Sequence, residues 1–144
     1  MSPLTCSMAI SLFLCTAIVQ AQYTHFDISG VFICPKNWLW RNLRLMEIDD
    51  NMNFNYDDAA SKWVTSQSFA PHKFNIKATL YDDPGSEFEM ELWIRHTCTD
   101  DGRILQYTHV LGDFAEAPWS NDITHTRHYT IDLLNKGSDK MREI

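Results

Sequence analysis

The stretch 88-FEMELWIRHTC-98 sets Phe88, Met90, Leu92, Ile94, His96 and Cys98 against Glu89, Glu91, Trp93, Arg95 and Thr97 in unbroken alternation. Successive side chains of a strand point to opposite faces, so period two over this length means a strand with one buried face. Working outward, 73-KFNIKATL-80 repeats the pattern, with Phe74, Ile76, Ala78 and Leu80 on one side and Lys73, Asn75, Lys77 and Thr79 on the other. Between the two, 81-YDDPGSE-87 gathers the residues that supply preset φ, left-handed φ and local side-chain hydrogen bonds, and reads as a connection. After Cys98 comes the Asp-Gly turn 99-TDDGR-103 and then 104-ILQYTHVL-111, whose β-branched and aromatic content suits a returning strand.

Upstream, 26-FDISGVFIC-34 and 43-LRLMEID-49 are further strand candidates, separated by the proline- and aromatic-rich connection 35-PKNWLWRN-42. Downstream, 123-ITHTRHYTIDLL-134 keeps Ile123, Tyr129, Ile131 and Leu133 in phase. A single helical turn is expected only in 56-YDDAASKWVT-65, where Asp57 and Asp58 can cap the first free amides. The segment 135-NKGSDKMREI-144 lacks a core-forming pattern and is expected to fray. Short strands separated by turn clusters predict an all-β antiparallel sandwich.

The N-terminal 1-MSPLTCSMAISLFLCTAIVQAQ-22 has no charged side chain and an apolar centre around Ile10–Val19, the pattern of a secretory signal peptide cleaved after Ala21. Its apolar part is short for spanning a bilayer. Residues 22–135 then form one domain and 136–144 a tail. The formal net charge of −7 belongs to this domain, because the leader has none. An acidic surface disfavours nucleic acid as a partner.

Four cysteines are encoded, but Cys6 and Cys15 leave with the leader, so the mature domain keeps Cys34 and Cys98. Two cysteines in an oxidising compartment ordinarily pair. Closing the loop from residue 34 to residue 98 is worth about 4 kcal/mol on the chain-entropy model, less any strain. The competing reading takes His96 and Cys98 as a reactive or metal-binding pair, since residues at i and i+2 of a strand share a face. It lacks a partner set: there is no Cys-x-x-Cys and no His-Glu-x-x-His.

Other constellations are weaker. His125 and His128, joined by His96, His72 or His109, would make a metal or hydrolytic site, but residues three apart on a strand point to opposite faces. Asp49, Asp50, Asp57 and Asp58, and again Asp82, Asp83, Asp100 and Asp101, offer hard oxygen ligands without the spacing of a helical calcium loop. Glu87, Glu89 and Glu91 form an exposed stripe. No phosphate-cradling loop, dinucleotide fingerprint or nucleophile elbow occurs, so neither an enzyme nor a cofactor is expected. Of the five tryptophans, Trp38, Trp40 and Trp93 are the candidates for a partner or ligand surface, set against a purely packing role.

Ile94-x-His96-x-Cys98 after an apolar strand, with 28-ISGVFIC-34 early and 43-LRLMEID-49 following, resembles the secreted transthyretin-like family abundant in nematodes. Asp57-Asp58 sits where that family has an acidic pair, Thr65 and Phe74 fall near its next motif, and 128-HYTIDLL-134 looks like its closing strand. The likeness covers about residues 26–135. It implies a transthyretin-type (prealbumin-like) sandwich of two sheets with about seven strands and at most one short helix, and a Cys34–Cys98 bridge between distant strands. It also implies an extracellular role as carrier or signalling adaptor, for a lipid, another small hydrophobic ligand or a cell-surface protein. Two departures stand out. The family's Thr-Asp…Gly-x-Phe turn is here 65-TSQSFAPHKF-74, which predicts a longer, differently shaped loop, and the additional cysteine pair of many members is missing. The related 5-hydroxyisourate hydrolases end in Tyr-Arg-Gly-Ser; this chain ends 141-MREI-144, so that activity is not carried over.

Overall fold

A computed structural model describes residues 22–48, 59–81, 87–118 and 121–140. Seven strands account for most of them: β1 Thr24–Ile33, β2 Trp38–Glu47, β3 Val64–Phe69, β4 His72–Leu80, β5 Glu87–His96, β6 Leu105–Ala115 and β7 Ile123–Asp132. They form a three-stranded sheet in the order β4-β1-β7 and a four-stranded sheet in the order β3-β2-β5-β6. The expected all-β sandwich is therefore present. It is not wholly antiparallel, because β1 and β7 run parallel over their full length. The chain crosses from β6 in one sheet to β7 in the other instead of turning back in a hairpin, and that crossover sets the direction.

The alternation read from the sequence is the alternation of burial. Phe26, Ile28 and Phe32 of β1 and Phe74 and Ile76 of β4 face Leu39, Leu43 and Leu45 of β2 and Phe88, Met90, Leu92 and Ile94 of β5. Phe26 meets Phe88 and Phe114 edge-on at 5.7 and 5.4 Å, and Phe32 stacks on Phe74 at 4.4 Å. Each such side chain contributes about 1.5–3 kcal/mol on burial. Gly30 interrupts the inward row of β1 for a steric reason: a Cβ there would lie 2.0 Å from the Tyr129 carbonyl oxygen and 2.7 Å from the Phe74 ring.

The bridge between Cys34 and Cys98 is formed, with Cα atoms 6.0 Å apart and a sequence separation of 64. It follows β1 at one end and β5 at the other, so it staples one sheet to the other. A disulfide of this kind belongs to an oxidising compartment.

Four expectations need correction. The connection 35–42 is shorter than read, because β2 begins at Trp38 and places Leu39, Arg41, Leu43 and Leu45 inward. An arginine at an inward position hid that alternation. The segment 65–74 is not a long loop: β3 and β4 are separated only by Ala70 and Pro71, joined by a cis peptide bond. The helical turn expected in 56–65 does not occur at 59–65, which is irregular until β3 begins at Val64; Asp57 and Asp58 lie outside the described residues. Finally, the supposedly fraying tail is attached as far as Ser138, which bridges to Gln106 of β6. The leader expected at 1–21 lies outside the described residues, and among those described no helix is long and apolar enough to cross a membrane.

Candidate binding face

The outward positions of β2 are Trp38, Trp40, Asn42, Arg44 and Met46, and antiparallel pairing brings matching outward positions beside them. On β3 these are Phe69 opposite Trp38, Gln67 opposite Trp40 and Thr65 opposite Asn42. On β5 they are Arg95 opposite Asn42, Trp93 opposite Arg44 and Glu91 opposite Met46. All three tryptophans singled out in the sequence thus share the outer face of the four-stranded sheet, although nothing in their spacing joined Trp93 to the other two.

They are not equally available. Trp38 is 43% exposed and Phe69 75% exposed, and directly opposed cross-strand side chains of this size form one apolar ridge. Trp40 is half-buried. Trp93 is 1% exposed, so its assignment to a partner or ligand surface is corrected: it is a buried part of the scaffold. Its outward phase was right, but its indole Nε1–H donates to Glu91 Oε2 at 2.9 Å, a partner that lets an indole be buried at low cost.

Trp63, unnoticed in the sequence as a partner of these residues, belongs to the same surface. The Arg95 guanidinium lies 4.3 Å from its ring centroid and that of Arg44 5.7 Å. Residues before it are tied to the β2 edge, with Ser61 N–H donating to the Leu45 carbonyl at 3.2 Å and the Leu45 amide donating to Ser61 Oγ at 2.9 Å. The face therefore has a rigid, covered half around Trp63, Trp93 and Arg95, and an open half formed by Trp38, Phe69, Trp40 and Gln67.

At the β3–β4 edge, where the two sheets part, a polar network replaces apolar packing. Arg41 points inward, donating from Nη1 to Ser68 Oγ at 2.7 Å and from Nη2 to the Lys73 carbonyl at 2.5 Å, with its guanidinium 5.5 Å from the Phe32 centroid. The His72 ring is buried between Ser68 Oγ at 2.9 Å from Nδ1 and the Lys36 carbonyl at 2.8 Å from Nε2. A carbonyl only accepts, so Nε2 carries a proton and donates it to Lys36. Burial pulls the Arg41 guanidinium below its ordinary value. The network joins four segments of chain that sequence reading had left unrelated.

The histidines proposed as a hydrolytic or metal site are kept apart. His96 is fully buried at the disulfide end. His125 packs its ring against Phe26 and Phe114 and reaches the Ala115 carbonyl from Nε2 at 2.8 Å. His128 lies on the outer face of the three-stranded sheet, 3.3 Å from Ser29 Oγ. Among the described residues no group of three His, Cys, Asp or Glu side chains is placed to hold a metal ion.

The acidic turns resolve into local chemistry. Asp100 accepts from Asn135 Nδ2 at 2.8 Å, and Asp101 accepts the Arg103 amide at 3.2 Å, which holds its carboxyl below the ordinary value. Asp49, Asp50, Asp57, Asp58, Asp82 and Asp83 lie outside the described residues. Glu89 and Glu91 face outward, where with Asp113 and the apolar Met90 and Val110 they line a shallow cleft of about 260 Å³ beside the β5–β6 bulge.

Comparisons of the chain with known protein families, with curated proteins and with solved structures found no match.

Proposed function

We propose that this chain is a secreted member of the transthyretin-like family and acts outside the cell as a non-enzymatic adaptor, engaging a protein partner through the open half of the four-stranded sheet. The observation that carries this reading is the pair Trp38 and Phe69, two large aromatic side chains held exposed and directly opposite one another on adjacent strands. Side chains of this kind on a rigid sheet lose little conformational freedom on binding and dominate the energetics of protein interfaces. Family membership draws support from the seven strands in two sheets and from a Cys34–Cys98 bridge with His96 two residues before it. Between the sheets, Phe26, Phe32, Phe74, Phe88 and Met90 occupy the inward positions, which favours recognition on the outside over storage of a lipid or small hydrophobic ligand within.

The test is a display of extracellular proteins probed with the purified chain and with a W38S/F69S variant. Saturable binding to a defined protein, weakened about tenfold or more in the variant at unchanged melting temperature, is the expected result. Equal binding by the variant would overturn the assignment of the face. Native mass spectrometry that recovers a lipid bound in stoichiometric amount would replace the adaptor reading by the carrier reading.

A further inference from the structure

Residues 133–138, which follow β7, are fastened across the disulfide end of the sandwich. Asn135 N–H donates to the Cys98 carbonyl at 2.9 Å, and Asn135 and Asp100 exchange two further hydrogen bonds at 3.0 and 2.8 Å. Gln106 and Ser138 exchange both backbone bonds, at 2.8 and 3.0 Å. Between them, Gly137 has φ +94, and a Cβ there would lie 2.2 Å from the Gln106 carbonyl oxygen. The approach of backbone to backbone at this point requires glycine.

One member of this connection titrates. His96 is fully buried; its Nε2 lies 3.1 Å from the Lys136 carbonyl, and its Nδ1 accepts the Cys98 amide hydrogen at 3.2 Å. A carbonyl cannot donate and an amide N–H cannot accept, so this geometry admits only the neutral ring protonated on Nε2. A second proton would set Nδ1–H against Cys98 N–H and place a charge in a dry site. The surroundings offer no relief. Opposite His96 on β2 stands Arg41, also inward and cationic, and opposite it on β6 stands the apolar Leu105. Cys34 and Cys98 are bridged, Asp100 is engaged by Asn135, and Asp132 accepts the Leu134 amide. Lys136 contributes its backbone carbonyl, Lys73 of β4 spends its carbonyl on Arg41, and His72 is held by Ser68 and Lys36. Among the described residues His96 takes part in no ion pair.

We infer that His96 is a proton-operated latch: taking up a proton expels the imidazole from its site and releases residues 135–138 from the β5–β6 end, uncovering the Gln106 edge of β6. Burial already holds the ring below its ordinary value, partly opposed by the Lys136 carbonyl, so the latch stays shut near neutrality and opens in acid.

Amide hydrogen exchange of the purified protein, expressed as protection factors and taken from about pH 7.5 down to about pH 5, reads this directly. Protection at Asn135, Ser138 and Gln106 is expected to fall about tenfold or more while β1 and β4 hold theirs. The H96Q variant, whose amide can still donate to Lys136 but cannot titrate, is expected to show no such change. Protection independent of pH, loss spread evenly over all strands, or the same loss in H96Q would each overturn the latch. Should H96Q fail to fold, nitrogen-15 spectra of the wild-type histidines decide: protonation of His96 coincident with loss of Gln106 protection supports it, and protonation with Gln106 still protected refutes it.

Discussion

Arg41 and His96 are directly opposite one another across β2 and β5, two nitrogen-bearing side chains at adjoining inward positions. Each is solved by backbone carbonyls and not by a carboxylate: Arg41 by Lys73, His96 by Lys136. The consequence is that both act as stitches. Arg41 closes the β3–β4 side of the sandwich, and His96 closes its disulfide end.

Truncating Arg41 to alanine takes the guanidinium donor from the Lys73 carbonyl, leaves Ser68 Oγ with His72 alone, and removes the guanidinium from over Phe32. The expected loss is about 1–3 kcal/mol in urea denaturation. Arg41→Lys keeps the charge but loses the two-pronged geometry, so it should recover only part of that loss. Full recovery would show that charge, not geometry, is what the site uses.

Stability should fall in acid through two histidines, the buried His96 and the half-buried His109. Burial depresses the values of His96 and of His109, so in the unfolded chain each takes up its proton near pH 6.5, and in the folded protein only at lower pH. Between those limits the unfolded state binds more protons. Their contribution is therefore whole above about pH 6.5 and declines as pH drops toward the folded values. Urea midpoints measured across this range should slope downward toward acid, less steeply in H96Q. A flat profile would contradict the buried, neutral ring.

Replacing both bridge cysteines by alanine should cost about 2–4 kcal/mol, and the intact chain should weigh about 2 Da less than its reduced form. Free thiol at Cys98 in protein prepared without reductant would remove the staple between the sheets.

Two glycines provide a matched comparison. Gly30→Ala drives a methyl into the Tyr129 carbonyl and the Phe74 ring, and should cost about 2 kcal/mol or more. Gly102→Ala meets nothing within 4 Å and is penalised only by its φ of +78, at about 1 kcal/mol. Similar melting temperatures for the two variants would mean that β1 and β7 lie farther apart than the parallel register requires.

The parts of the molecule legible in the sequence are those in which one residue type per face repeats. β4, β5 and β7 could be read from alternation alone, and the bridge from cysteine count. β2 was half-read because Arg41 stands where an apolar residue was expected, and its guanidinium is reconciled to that place only by Ser68 and Lys73, both remote in sequence. β3 was missed because an edge strand with Ser66 and Ser68 on its inward phase has no apolar signature. The shared face of Trp38, Trp40 and Trp93 depends on strand order, which periodicity does not encode. His96 was seen to point inward, but what it touches comes from residues 98 and 136, the second of them in a segment that composition marked as loose.

The parallel seating of β7 against β1 has a consequence for how the chain is made. Among the described strands β1 is the first to be made, yet it is the middle strand of its sheet, and one of its two neighbours, β7, is made last. Until residues 123–132 exist, the whole β7 side of β1 has no partner. Such a topology has high contact order, folds in the slow range for a domain of this size, and makes closure of the three-stranded sheet wait for the synthesis of β7. A nascent chain shorter than Ile123 is thus a client for holding factors, carrying an exposed strand edge through most of its synthesis.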